Sequence, residues 1–107
     1  MKVLVLLQIS SEADLRKMQS LESQEADRVW TLYEENILKE IYLLEDKSGA
    51  VIVLDAESLE EAKAAIESLP MVEAGVLKPN YMPLTLWPEM QRMLNDHKRS
   101  TPSWWPN

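Results

Sequence analysis

Two short runs decide the architecture: "VLVLL" at residues 3–7 and "AVIVL" at residues 50–54. A strand with one wet face alternates apolar and polar residues, whereas these runs are β-branched and Leu-rich without interruption. Strands of this kind are covered on both faces. They anchor longer strands, Lys2 to Ile9 and Ala50 to Asp55. Between them, Ser10 or Ser11 offers an N-cap, and apolar residues recur at helical spacing from Glu12 to about Glu35: Leu15, Met18, Ala26, Val29, Leu32 and Tyr33. Asn36 is a stop. Ile37 to Glu45 returns to a strand pattern, and "EDKSG" (45–49) makes a hairpin in which Gly49 is free to take positive φ. Ser58 with Glu61 forms a capping box, and Leu59, Ala62, Ile66 and Leu69 form one stripe before Pro70 ends the second helix. Val72 to about Leu84 is the last strand. Its Pro79 and Pro83 remove two ladder donors and place it at a sheet edge.

The order is βαββαβ, an α+β ferredoxin-like arrangement: a four-stranded antiparallel sheet with both helices on one face and strands one and three in the centre. Two helices cover one face only. The second face of strands one and three needs a cover, no third layer exists in the chain, and the cheapest cover is a second copy of the sheet. A homodimer is therefore expected. The domain spans residues 1–87. Residues 88–107 form a C-terminal extension, with a short helix opened by Pro88 and carrying Met90, Met93 and Leu94, which would dock on the sheet edge or the second subunit. Trp104 and Trp105 are expected to latch onto a subunit, with a ligand-closing lid as the sharper reading.

Composition excludes several functions. In 107 residues, 11 Lys plus Arg stand against 18 Asp plus Glu, and the net charge of −7 opposes nucleic acid and anionic membranes as partners. There is no Cys, which removes disulfides, thiolate metal sites and Cys nucleophiles. The opening "MKVLVLLQIS" reads as a strand and not a signal peptide, and no run approaches the ~20 apolar residues of a spanning helix, so a cytoplasmic protein is expected. With only Gly49 and Gly75 there is no phosphate-cradling loop. The sole histidine, His97, lies in a polar segment and is assigned no role. No cofactor or metal is expected.

The run "WTLYEENILKEIYLLEDKSGAVIVLDAESLEEAKAAIESLPMVEAGVLKPNYMPLTLWPEM", and within it the "SLPMVEAG" step into a Pro-containing final strand, resembles the dimeric α+β barrel superfamily, most nearly its muconolactone isomerase-like members. The resemblance covers residues 1 to about 95. It implies two sheets paired face to face and a small-molecule site in the cleft between each sheet and its helices. The superfamily also holds cofactor-free monooxygenases, haem-handling proteins, polyketide cyclases and proteins with no assigned activity, so the fold does not fix a reaction. No His stands near the end of the first strand, where several enzymatic branches place one.

A helical wheel centred on Val29, Met18, Leu15 and Tyr33 puts Glu22 roughly 20° and Glu25 roughly 40° from the centre of the apolar face. A carboxylate there meets a partner, lines a wet cleft or overhangs the sheet. Glu22, with partial burial and a raised pKa, and Glu25 are the catalytic candidates. Trp30 and Tyr33 either line a cleft for a flat ligand or belong to the core. Glu40 and Tyr42 share a sheet face, with Lys39 opposite, and form either a proton-handling pair or the rim of a dimer barrel. Asp46 and Lys47 belong to the hairpin and face solvent. Two function classes follow. One is a cofactor-independent isomerase or cyclase acting on a small apolar or aromatic substrate in the helix–sheet cleft. The other is a non-catalytic homodimer that binds a small ligand or serves in assembly.

Overall fold

The structure, a computed structural model, describes residues 1–99. The chain runs β1 (Lys2–Ile9), α1 (Leu15–Glu34), β2 (Leu38–Leu43), β3 (Gly49–Asp55), α2 (Leu59–Glu67), α3 (Pro70–Glu73), β4 (Leu77–Leu84) and α4 (Pro88–Arg99). The strands form one antiparallel sheet in the order β2-β3-β1-β4. The two uninterrupted apolar strands are thus the central pair, and the proline-bearing β4 pairs only with β1. An edge strand turns alternate N–H groups away from its neighbour, so two prolines are accommodated there.

Register assigns the faces. Val3, Val5 and Leu7 of β1 lie opposite Leu54, Ile52 and Ala50 of β3, and all six are buried beneath the helices. Leu32 of α1 and Ala62, Ala65 and Ile66 of α2 complete this core, with Leu69 beyond α2. The intervening residues Leu4, Leu6, Val51 and Val53 form the other face, where nothing among the described residues covers them and they remain half-buried by their own neighbours.

Local chemistry explains the element ends. Asp14, not Ser10 or Ser11, caps α1: its Oδ1 accepts from the N–H of Arg16 (2.9 Å) and Lys17 (3.4 Å). Asn36, at φ 64°, takes the left-handed conformation that ends α1. Ser58 Oγ accepts from Glu61 N–H at 3.1 Å, while the Glu61 carboxylate reaches back one residue further than a standard capping box, to Glu57 N–H. Pro70 does more than stop α2. It is the first residue of the one-turn helix α3, so the last strand starts at Leu77 and not at Val72.

Two further departures come from backbone geometry. Positive φ in the hairpin falls on Lys47 (62°), and Gly49 already stands in β3. Gly49 is needed for close approach, because a Cβ there would collide with the Leu7 carbonyl oxygen of β1. Gly49→Ala is therefore expected to cost about 1–3 kcal/mol, read as a lower urea midpoint, since backbone must move on a central strand pair. The second departure is a bulge in β2: Leu38 lies opposite Leu54, but Glu40, two residues on, lies opposite Val53, one residue back. The extra residue, Lys39, reverses the facing of everything after it.

The described part of the extension forms α4, whose apolar residues stay exposed. Met90, Met93 and Leu94 are exposed together with Leu86 and Trp87. Trp104 and Trp105 lie outside the described residues.

Candidate active site

Between α1 and the helix-facing side of the sheet lies a cavity of about 220 Å³. Leu7, Ala50 and Ile52 form its floor, Met18 and Val29 of α1 its roof, and Met71 its inner wall. Ile41, Leu43 and Lys47 stand at the open side, where β2 and the hairpin extend beyond the helix. This space exists because α1 covers the central strands and leaves the end of β2 bare. It is smaller than the ~300–1,000 Å³ of drug-sized pockets and suits a molecule of about one ring.

Glu25 is the carboxylate in this cavity. Burial pushes its carboxyl up from the ordinary value of 4.5, and a hydrogen bond from Met71 N–H to Oε1, at 3.0 Å, pulls partly the other way. That bond also fixes the side chain. The first turn of α3 has orphan N–H groups, and its N-cap residue, Leu69, has no side chain able to accept from them. Glu25 supplies the missing acceptor from another helix. Arg28, one turn on, donates from Nε to Ser68 Oγ at 2.8 Å, and Ser68 Oγ donates to the Ala65 carbonyl, tying α1 to the end of α2 and so setting Glu25 against α3.

The other sequence candidates stand elsewhere. Glu22 is exposed and does not line the cavity. The wheel that favoured it counted Leu15 and Tyr33 as core, yet they are 65% and 51% exposed. The stripe that meets the sheet is Met18, Leu21, Glu25, Val29 and Leu32, which turns the centre of the face roughly 40° away from Glu22 and onto Glu25. Trp30 and Tyr33 are exposed on α1, stacked on each other at 5.4 Å between centroids, and belong neither to this cavity nor to the core. Trp30→Ala is accordingly expected to leave cavity binding unchanged and to lower stability by no more than about 1 kcal/mol in thermal unfolding. Glu40 and Tyr42 do share a face, but it is the open face of the sheet, opposite Val53 and Val51. The bulge put them there and turned Ile41 and Leu43 to the cavity instead. The Tyr42 hydroxyl donates to Glu40 Oε1 at 2.8 Å, and that bond, with the adjacent carboxylate charge, raises the phenol's pKa. His97 is exposed on α4.

Two contributors escaped the sequence reading, Lys47 at the mouth and the Met71 N–H. No composition signal marks a backbone donor; the signal for Lys47 was a hairpin whose turn lacks Gly or Asn at the position needing positive φ. Among the described residues, no group of three or more His, Asp or Glu is placed to hold a metal ion, and no helix is long and apolar enough to cross a membrane.

No family model and no curated protein matches this sequence. Solved structures do match in shape. The chain is similar to muconolactone isomerase, with a TM-score of 0.67 at 18% identity over 82% of this chain and 92% of that one. It is also similar to the 5-chloro-2-hydroxyhydroquinone dehydrochlorinase of Burkholderia phenoliruptrix AC1100 in complex with 2,5-dihydroxybenzoquinone, with a TM-score of 0.65 at 16% identity over 79% and 94% of the two chains. The chain shares the α+β fold of these two structures, a four-stranded antiparallel sheet with its helices on one face.

Proposed function

We propose that the protein is a cofactor-independent enzyme of the isomerase or cyclase type, with Glu25 moving a proton on a small apolar or aromatic substrate held in the cavity. One observation carries this reading: a single carboxylate with a raised pKa is held by a backbone N–H inside an otherwise apolar, ring-sized space. A general base works best with its pKa near the operating pH, and desolvation moves a glutamate in that direction. In the proposed step, the Glu25 carboxylate takes a proton from carbon next to a carbonyl, the electron pair of that C–H bond passes into the conjugated system, and the Glu25 carboxyl, after exchanging its proton with solvent at the open side of the cavity, protonates another carbon. Atoms balance with no co-reactant. That the two structural neighbours are an isomerase and a dehydrochlorinase agrees with small-molecule chemistry on this scaffold. The working form is proposed to be a cytoplasmic homodimer.

The test is proton exchange in D₂O. Small enolisable lactones, unsaturated ketones and dihydroxybenzenes, followed by NMR, should exchange carbon-bound hydrogen faster with the protein than in buffer. A second reading has its own support: capping α3 is by itself sufficient reason for a carboxylate at position 25. Ligands that bind in the cavity while none of them exchanges would favour that non-catalytic, ligand-binding protein.

A further inference from the structure

Lys47 is a cavity residue to which the proton transfer assigns no task. It stands in the hairpin, where its N–H donates to the Leu44 carbonyl at 2.8 Å and Leu44 N–H in turn donates to the Gly49 carbonyl at 2.8 Å. Its φ of 62° lies in the region where an L side chain crowds the following carbonyl oxygen, so that Gly or Asn is the usual occupant. No partner explains the lysine. The neighbouring Asp46 carboxylate is occupied by the Ser48 N–H at 2.9 Å and hydroxyl at 2.7 Å, and among the described residues the Lys47 ammonium makes no ion pair or side-chain hydrogen bond. Beside it at the mouth are the exposed apolar side chains of Ile41 and Leu43. A cation in an unfavourable backbone position, without a protein counter-ion, thus borders an apolar cavity.

We propose that Lys47 determines specificity by holding the anionic head, carboxylate or phenolate, of a small organic acid whose apolar body fills the cavity. This rests on the cavity being the substrate site, as proposed above. Charge fixes the orientation. An anionic head driven inward would meet the Glu25 carboxylate, whereas at the mouth it meets Lys47 and leaves the apolar body against Leu7, Ala50 and Ile52. An ion pair in open water contributes little, but apolar walls on one side lower the local screening and strengthen it. The carbon that loses its proton therefore belongs to the body of the substrate, on the side away from the head.

Benzoate and 4-nitrophenolate, with neutral benzamide as the comparison, are suitable probes, titrated while the methyl signals of Ala50 and Ile52 are followed by NMR. Wild-type protein is expected to bind at least one of the two anions tenfold or more tightly than benzamide, and which one it prefers identifies the head group. Lys47→Met, which keeps the apolar stem, should bring the anions level with benzamide, and Lys47→Arg should keep the preference. Lys47→Gly should lose the preference while its Tm rises, because the backbone strain is relieved. Benzamide binding as tightly as both anions, or a preference that survives Lys47→Met, would overturn the proposal and leave the cavity as a ligand site. A lower Tm for Lys47→Gly would also count against it, by showing a lysine that the fold itself requires. If no probe moves the cavity signals, the substrate site and this proposal fall together.

Discussion

Glu25→Gln is expected to lower proton-transfer turnover by roughly 10²–10⁴-fold while leaving the protein at least as stable as wild type at neutral pH. The sign follows from linkage. The folded-state pKa of Glu25 lies above its unfolded value, so between the two the folded state binds more protons, and stability falls as pH rises through that interval. Below the ordinary value of 4.5 both states are protonated and the penalty is absent; above the raised folded value it is fully present. Gln carries no charge to desolvate, yet its carbonyl still accepts from Met71 N–H and still caps α3. Unfolding midpoints of the two proteins should therefore converge at low pH and separate, with the variant higher, towards neutrality. If turnover is undiminished in the folded variant, Glu25 has no part in the chemistry. If stability falls at neutral pH, the carboxylate is there for α3 alone.

Leu6→Glu should have an effect of comparable size on assembly. Leu6 lies opposite Val51 on one side and Asn80 on the other, near the middle of the uncovered sheet face, with Leu4 and Val53 beside it. Should two copies cover each other there, a charge at this position is buried without a partner, a loss of about 4 kcal/mol or roughly 10³-fold in association. Sedimentation equilibrium at micromolar concentration should give about twice 12.3 kDa for the wild type and close to the chain mass for the variant. Acidification enough to protonate the new carboxyl should restore part of the association. A wild-type mass of 12.3 kDa would instead mean that the face tolerates water.

How much of this was legible depended on whether a feature is written in residue type or in phase. The unbroken runs at 3–7 and 50–54 identified the central strands, and Pro79 and Pro83 identified an edge, because each is a property of the side chains themselves. The rotation of α1 was misread because Leu15 and Tyr33 look like core residues. Apolar side chains are commonly exposed, so their presence says less about a face than the positions that are actually buried. Helix α3 was missed because Pro70 serves equally as a stop and as a start, and nothing before it distinguishes the two. The carboxylate that lines the cavity, Glu25, is among the sequence candidates, but its partner is a backbone N–H 46 residues away, which no local pattern reveals.

The bulge at Lys39 bears on how such a protein could change its length without changing its ligand. Because the bulge holds one residue more than the ladder needs, losing a single codon there while Leu38 keeps its place opposite Leu54 would leave Glu40 opposite Val53 and Ile41 opposite Ile52, now in regular alternation. Ile41 and Leu43 would stay at the cavity mouth, and Glu40 and Tyr42 would stay on the open sheet face. Deletion libraries around position 39 should therefore return folded proteins with an unchanged entrance.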